Sequence, residues 1–177
     1  MKGVIFTEFL EMIERDFGIE TVDAVIADSK VDGIYTSVGT YPDSEMNEMV
    51  VSLGKILDKD VAFLHEYFGK SLFHGLLASY PHFFSDDLSL FDFINSIHNY
   101  IHVEVKKLYY DAELPDIIVQ NQSEKEIVVL YSSKRKYGKI AKGLLLSTIE
   151  YFNENAMLNE EKIDDVGEQV LFTISIQ

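Results

Sequence analysis

The sequence predicts an α+β fold, with an N-terminal lobe of helices followed by a C-terminal lobe that holds a small antiparallel sheet and further helices. Apolar residues recur at helical spacing over about the first 110 positions, whereas β-branched residues concentrate after Pro115. A turn-like stretch separates two of these β-rich segments. The 177 residues suit a single domain, residues 1–177, in which the two lobes share a core.

The helices are predicted in chain order from their apolar spacing and their boundary residues. The segment VIFTEFLEMIERDFG indicates a first helix, ETVDAVIADSK a second and SEMNEMVVSLGKILDK a third. One or two further helices are expected in DVAFLHEYFGKSLFHGLLASYP, ending before Pro81. Ser85 is predicted to cap the next helix, with Asp86 and Asp87 in its first turn, and this helix would run through LFDFINSIHNYIHVEVKKLYY.

Strands are predicted after Pro115, where the composition changes. The segments DIIVQN and KEIVVLYSS are rich in β-branched residues, and NQSEK between them resembles a turn. The segment GKIAKGLLLSTIEYFNENA returns to helical spacing, and EQVLFTISI indicates a third strand.

Charge and composition exclude several classes of function. The formal net charge of −15 disfavours binding to nucleic acid and to anionic membranes, which both require a basic surface. The absence of cysteine excludes disulfides, thiol catalysis and cysteine-based zinc sites. Glu8 and Glu11 interrupt the apolar run that a signal peptide needs, and no stretch is long enough to span a bilayer, so we expect a cytoplasmic protein.

Two histidines, His98 and His102, share one face of the long predicted helix because they are four residues apart. The HxxxH spacing is typical of a zinc protease helix, but Asn99 stands where that chemistry requires a glutamate. Both histidines could be hydrogen-bonded core residues, or one could project into a pocket and bind a metal or haem iron. The spacing by itself does not choose between them.

The stretch YSSKR at 131–135 places a phenol, a hydroxyl and a guanidinium at alternate positions. In an extended segment, Tyr131, Ser133 and Arg135 would point to one side, where they could bind a pair of neighbouring carboxylates. Haem has two such carboxylates on one edge of a flat apolar ring. The alternative is an edge strand with solvated polar side chains.

Together, these two signals resemble the H-NOX family of haem-nitric oxide/oxygen binding domains, relatives of the haem domain of soluble guanylate cyclase. A helical histidine precedes the YxSxR motif by 29 residues, with a proline between them. The resemblance extends over the whole chain, through the MKGVI start, the GKSLF and YPHFF stretches, and the helix that carries Gly143.

The resemblance implies a role for each matching residue in binding haem b, iron protoporphyrin IX. His102 stands 13 residues before Pro115 and would be the proximal iron ligand. Tyr131, Ser133 and Arg135 would bind the propionates. Further contacts with the ring are implied for Pro115, which would press on the porphyrin, and for Ile5.

The distal side departs from the oxygen-binding members of the family. Those members carry a tyrosine where this chain has Ile140, and Phe9 and Leu144 would keep the pocket apolar. This pattern favours nitric oxide, with carbon monoxide as a further candidate ligand, and weak or no binding of oxygen. His74 is the exception, since it could donate a hydrogen bond on the distal side or approach the iron.

The resemblance implies a gas sensor without enzymatic activity. Nitric oxide would bind opposite His102, release the iron–histidine bond and shift a distal lobe, about residues 1–66, against a proximal lobe, about residues 67–177. With no output domain in the chain, the signal would pass to a separate protein, such as a histidine kinase or a diguanylate cyclase or phosphodiesterase. Two alternatives remain, an oxygen-binding or haem-storage protein that uses His74, and a haem-free interaction module.

Overall fold

The computed structural model describes residues 1–85 and 87–177, and over these ranges it contains seven α-helices and four β-strands. The helices are α1 (Gly3–Phe17), α2 (Ile19–Ser29), α3 (Asp43–Leu57), α4 (Val61–Ser79), α5 (Leu90–Ser96), α6 (His102–Leu108) and α7 (Gly138–Tyr151). The strands are β1 (Asp116–Gln122), β2 (Glu126–Ser132), β3 (Ala156–Lys162) and β4 (Gln169–Ile176). The α+β prediction, with helices first and an antiparallel sheet last, is therefore confirmed.

The helix boundaries follow local capping chemistry. The Asp60 carboxylate begins α4 by accepting hydrogen bonds from the backbone N–H groups of Ala62 and Phe63, at 2.7 and 3.3 Å. A capping box of Ser89 and Asp92 begins α5. The prediction that Ser85 caps this helix is therefore wrong, because the reciprocal partner three residues on belongs to Ser89. Asp86, predicted for the first turn, lies outside the described residues.

The long predicted helix is interrupted by a single turn of π-helix at Ile97–Ile101, which joins α5 to α6. A short 3-10 helix, Pro81–Phe83, follows α4, which is one continuous helix that ends before Pro81 as predicted. A π-turn holds one residue more than an α-turn and therefore rotates everything that follows it relative to an ideal α-helix.

The sheet has the strand order β1-β2-β4-β3, and each neighbouring pair is antiparallel. Three of these strands match the predicted segments, but β3 was not predicted. Its sequence, AMLNEEK, contains two consecutive glutamates and its residues alternate between half-buried and exposed. Such a composition is typical of an edge strand, where charged residues discourage pairing with other chains. The same composition is also typical of a loop, and for this reason the strand was not predicted.

Two hydrophobic clusters form the core. One joins α1 to α4 with Tyr137 and Ile140, and the other joins α5 and α7 to the sheet. Helices α4 and α7 cross closely at Gly69 and Gly143, where an added Cβ would collide with the backbone oxygens of Ile140 and Glu66. Helix α7 thus connects both clusters, and a cavity lies between them.

No helix within residues 1–85 and 87–177 combines the length and the apolar character needed to cross a membrane.

Candidate functional site

A cavity of about 330 Å³ lies between the helices and the sheet, within the range of roughly 300–1,000 Å³ typical of small-molecule and cofactor sites. Most of its wall is apolar. Among its lining residues are Ile5 of α1, Leu76 of α4, Ile140 and Leu144 of α7, and Phe172 of β4. Because the wall combines residues from both hydrophobic clusters, any movement of one cluster relative to the other would change the shape of the cavity.

His102 lines this cavity, and the π-turn explains why. The backbone N–H of His102 donates to the oxygen of Ile97, five residues earlier, so His102 lies about one turn beyond a residue that also faces the cavity. In an uninterrupted α-helix, with its step of about 100° per residue, His102 would be rotated by about 140° from Ile97, whereas Ile101, which also lines the cavity, would be only about 40° from it. His98 is not part of the lining, although its ring centroid is 6.4 Å from that of His102.

The protonation state of His102 suits metal binding. Burial, followed by the neighbouring His98 and Lys106, lowers the pKa of His102 to about 4. The imidazole is therefore neutral near pH 7, and neutral imidazole is the form that ligates metals.

Tyr131, Ser133 and Arg135 all line the cavity, but they do not form one extended segment. Strand β2 ends at Ser132, and a turn follows in which the backbone N–H of Arg135 donates to Ser133 Oγ at 3.2 Å. The expectation of an extended chain through Arg135 is therefore wrong, because this turn leads directly into α7. The backbone N–H of Tyr137 donates to Tyr131 Oη at 3.2 Å, which leaves the phenol O–H available as a donor. Burial raises the pKa of Tyr131, so this phenol stays protonated.

The guanidinium of Arg135 is held at its outer edge by Glu113. Nη1 donates to the backbone oxygen of Glu113 at 2.7 Å, and Nη2 donates to Glu113 Oε2 at 2.6 Å. Within the described part of the chain, Nε of Arg135 is buried and has no hydrogen-bond partner. A buried donor without a partner costs about 1–3 kcal/mol in stability. An anionic ligand that accepts a hydrogen bond from Nε would therefore be favoured.

The other predicted site residues fall into two groups. Pro115, Ile5, Ile140 and Leu144 line the cavity. Phe9 is fully buried in the α1–α4 cluster, with its ring centroid 5.1 Å from that of Phe68, and is not part of the lining. His74 is exposed on α4 and its ring contacts Phe73 edge to face, so its side chain is not at the cavity wall.

Sequence reasoning missed several polar residues of the cavity wall, among them Tyr80, Tyr109 and Glu113. The hydroxyls of Tyr80 and Tyr109 are 3.2 Å apart, and burial raises the pKa of Tyr80 to about 12. The spacing of seven residues between His102 and Tyr109 is a helical repeat that indicates a shared face. Glu113 gave no such signal, because its contact with Arg135 depends on the path of the chain between α6 and β1.

The residues of the cavity fit haem. Haem needs an apolar wall for its ring, a neutral imidazole for its iron and donors for its carboxylates. The cavity provides the apolar wall, His102, and the hydroxyls and guanidinium of Tyr131, Ser133 and Arg135. Across the residues that the structure describes, no group of three or more His, Asp or Glu side chains is arranged to hold a metal ion.

Comparison with solved structures shows the same fold in several H-NOX proteins. The H-NOX protein from K. algicida, in the unliganded Fe(II) state, is 37% identical, with a TM-score of 0.93 over 100% of this chain and 97% of that chain. The H-NOX from Shewanella woodyi, in the Fe(II)CO ligation state with IWP-051 bound, is 36% identical, with a TM-score of 0.85 over 100% and 95% of the two chains. The H-NOX protein from S. oneidensis, in the Fe(II)NO ligation state, is 26% identical, with a TM-score of 0.92 over 100% and 99%.

No curated protein matches the chain significantly. The family model described as "Haem-NO-binding" matches residues 2–160, which is most of the chain. Together with the relatives that are more than 30% identical over the whole length, this match is sufficient to assign the family. The chain belongs to the haem-NO-binding, or H-NOX, family, whose members bind haem and generally act as gas sensors.

Proposed function

We propose that this chain is a gas sensor that binds nitric oxide at ferrous haem b and signals by releasing His102. The observation that carries the proposal is the position of His102, a neutral imidazole in the wall of an apolar cavity that also presents Tyr131, Ser133 and Arg135. Ferrous haem would supply the iron that takes up the diatomic gas. His102 would hold that iron, and the three polar side chains would bind the propionates.

The distal residues support a preference for nitric oxide over oxygen. Ile140 and Leu144 present only carbon atoms to the cavity, so neither can donate a hydrogen bond to bound oxygen. The exposed position of His74 gives no support to the alternative in which this histidine stabilises oxygen. The relatives from S. oneidensis and Shewanella woodyi have been solved with nitric oxide and carbon monoxide, respectively, which supports both gases as ligands here.

Signalling would begin at the π-turn. His102 is the first residue of α6 and directly follows the π-turn Ile97–Ile101, so releasing its side chain would remove a constraint at the junction of two helical geometries. The distal lobe, about residues 1–66, and the proximal lobe, about residues 67–177, would then shift as a two-state element biased by ligand. A separate signalling protein, such as a histidine kinase or a diguanylate cyclase or phosphodiesterase, would read this shift.

The proposal is tested by replacing His102 with glycine and adding free imidazole to the haem-loaded protein. The imidazole would occupy the position of the lost side chain without linking the iron to α6. We expect the wild-type protein to bind one haem and to show faster amide exchange in residues 97–108 on addition of nitric oxide. In His102→Gly with imidazole, haem binding should persist while this exchange no longer changes.

His98→Ala is the matched control, because His98 lies one helical turn away and does not line the cavity. This variant should keep the haem spectrum and the exchange response of the wild type. Loss of haem in His98→Ala, together with an unchanged response in His102→Gly, would transfer the ligand role to His98. A wild-type protein that stays folded and rejects haem would contradict the proposed function altogether.

A further inference from the structure

We propose that Glu113 is a positioning residue, which holds the Arg135 guanidinium so that its Nε edge is free to bind a carboxylate of haem. This inference rests on the proposed function, because it concerns how the same cavity retains its cofactor. The guanidinium has two edges: the Nη1 and Nη2 donors are bonded to Glu113, and the Nε donor has no partner among residues 1–85 and 87–177.

Glu113 alone provides both acceptors at the outer edge of the guanidinium. Its backbone oxygen lies 2.7 Å from Nη1 and its carboxylate oxygen lies 2.6 Å from Nη2. Two bonds from one residue fix the plane of the guanidinium as well as its position, since the donors of arginine are arranged in a rigid fork.

The Nε edge of the guanidinium has an unmet donor. Nε is buried and has no hydrogen-bond partner among residues 1–85 and 87–177. The carboxylate of Asp43 is 3.9 Å from Nε, beyond the length of a hydrogen bond. Arg135 lines the cavity and is always charged, so a carboxylate of the cofactor would satisfy this donor with a charge-assisted hydrogen bond.

Glu113 is placed so that removing its side chain should have little effect on the stability of the fold. Its side chain is 83% exposed, so its removal leaves no void in the core. Glu113 also lies in the segment between α6 and β1, two residues before Pro115, and contributes to both the cavity and an adjoining polar pocket of about 160 Å³. A change at Glu113 should therefore act through Arg135 and not through unfolding.

The test measures the rate at which the haem-loaded protein loses haem to excess apomyoglobin, in the wild type, Glu113→Ala and Glu113→Gln. An ion pair with one exposed partner contributes little, so we expect Glu113→Ala to lose haem only about fivefold faster than the wild type. Glu113→Gln keeps an oxygen that can accept from Nη2 and should restore most of the wild-type rate. Glu124→Ala, in the turn between β1 and β2, is the control for removal of an exposed glutamate and should leave the rate unchanged.

A second measurement repeats the assay with the dimethyl ester of haem, which has no ionised carboxylates. If Glu113 acts by orienting Arg135 towards a carboxylate, the difference between the wild type and Glu113→Ala should disappear with the ester. An equal difference with the ester would mean a structural role and would overturn the proposal.

Two further results would also overturn it. Identical rates for the wild type and Glu113→Ala would mean that Glu113 does not hold Arg135 in a productive orientation. Slower loss from both variants would mean that Glu113 competes with the carboxylate for Arg135. In each case the wild type still holds haem, so the proposed function stands; a wild type that rejects haem would overturn both.

Discussion

At the scale of single residues, burial determines which histidines stay neutral. His102 and His65 both have a pKa that burial lowers, but they lie in different places. His102 faces the cavity, whereas the ring of His65 on α4 packs edge to face against Tyr137, with 5.4 Å between their centroids. Within the described part of the chain, Nε2 of His65 is buried and has no hydrogen-bond partner, so a proton there would place an uncompensated charge inside the protein.

The lowered pKa of His65 predicts a specific loss of stability in acid. In the unfolded chain a histidine titrates near pH 6.5, and in the folded protein His65 titrates below that value. Above pH 6.5 both states are neutral and the free energy of unfolding does not depend on this group. Between the two pKa values only the unfolded state binds the proton, so the free energy of unfolding falls by about 1.4 kcal/mol for each pH unit as pH decreases.

The measurement compares urea unfolding of the wild type and His65→Gln between pH 7.5 and about 5. Glutamine does not titrate, so the variant should lose less stability over this range, and the difference isolates His65 because both proteins keep His102. Parallel curves for the wild type and His65→Gln would contradict the assignment.

At the scale of secondary-structure elements, the helices and strands that could be predicted from the sequence are those with a regular apolar pattern. Helices α1 to α4 and strands β1, β2 and β4 have regular apolar patterns, and their prediction is confirmed. Strand β3 was missed because edge pairing, and not apolar alternation, holds it in the sheet. The turn after Ser132 was missed because alternate polar residues fit a strand equally well.

The π-turn explains why His102, and not His98, lines the cavity. A projection at 100° per residue places His98 closer to the apolar stripe than His102, which is the reverse of what the structure shows. One extra residue in a single turn is enough to bring His102 closer to the cavity than His98. No residue type in the sequence indicates where such a turn will form. The family resemblance selected His102 from its distance to Pro115, a signal independent of helix geometry.

The π-turn leads to a prediction about the number of residues between Ile97 and His102. Deleting Asn99 would make His102 the fourth residue after Ile97, so an ordinary α-turn would still place it towards the cavity. We therefore expect the deletion variant to bind one haem with the absorption spectrum of the wild type, measured by titration with ferrous haem. Inserting one alanine between His98 and Asn99 should turn His102 away and abolish this spectrum. Loss of haem in the deletion variant alone would mean that the extra residue is needed for more than register.

At the scale of the whole molecule, the two ends of the predicted signalling path are linked by polar contacts as well as by the core. Asp111 lies just after α6, and its carboxylate accepts from Thr40 Oγ1 at 2.6 Å and from Lys2 Nζ at 3.2 Å. Lys2 also donates to the backbone oxygen of Val38 at 2.8 Å and lies over the ring of Tyr109. The segment that follows the His102 helix is thereby joined to the N-terminal segment of the chain.

This connection predicts that Asp111 transmits movement of α6 to the N-terminal lobe. Asp111→Ala removes both acceptor oxygens, so amide exchange in residues 36–41 should increase, by roughly threefold for an exposed ion pair. Because Asp111 is not part of the cavity lining, the absorption spectrum of the bound haem should not change.

On addition of nitric oxide, the exchange of residues 97–108 should still respond in the Asp111→Ala variant, whereas the exchange of residues 36–41 should no longer respond. Asp28→Ala, which removes a surface ion pair with Lys55 between α2 and α3, is the matched control and should leave both responses intact. An unchanged response of residues 36–41 in Asp111→Ala would show that other contacts carry the signal between the lobes without this polar connection.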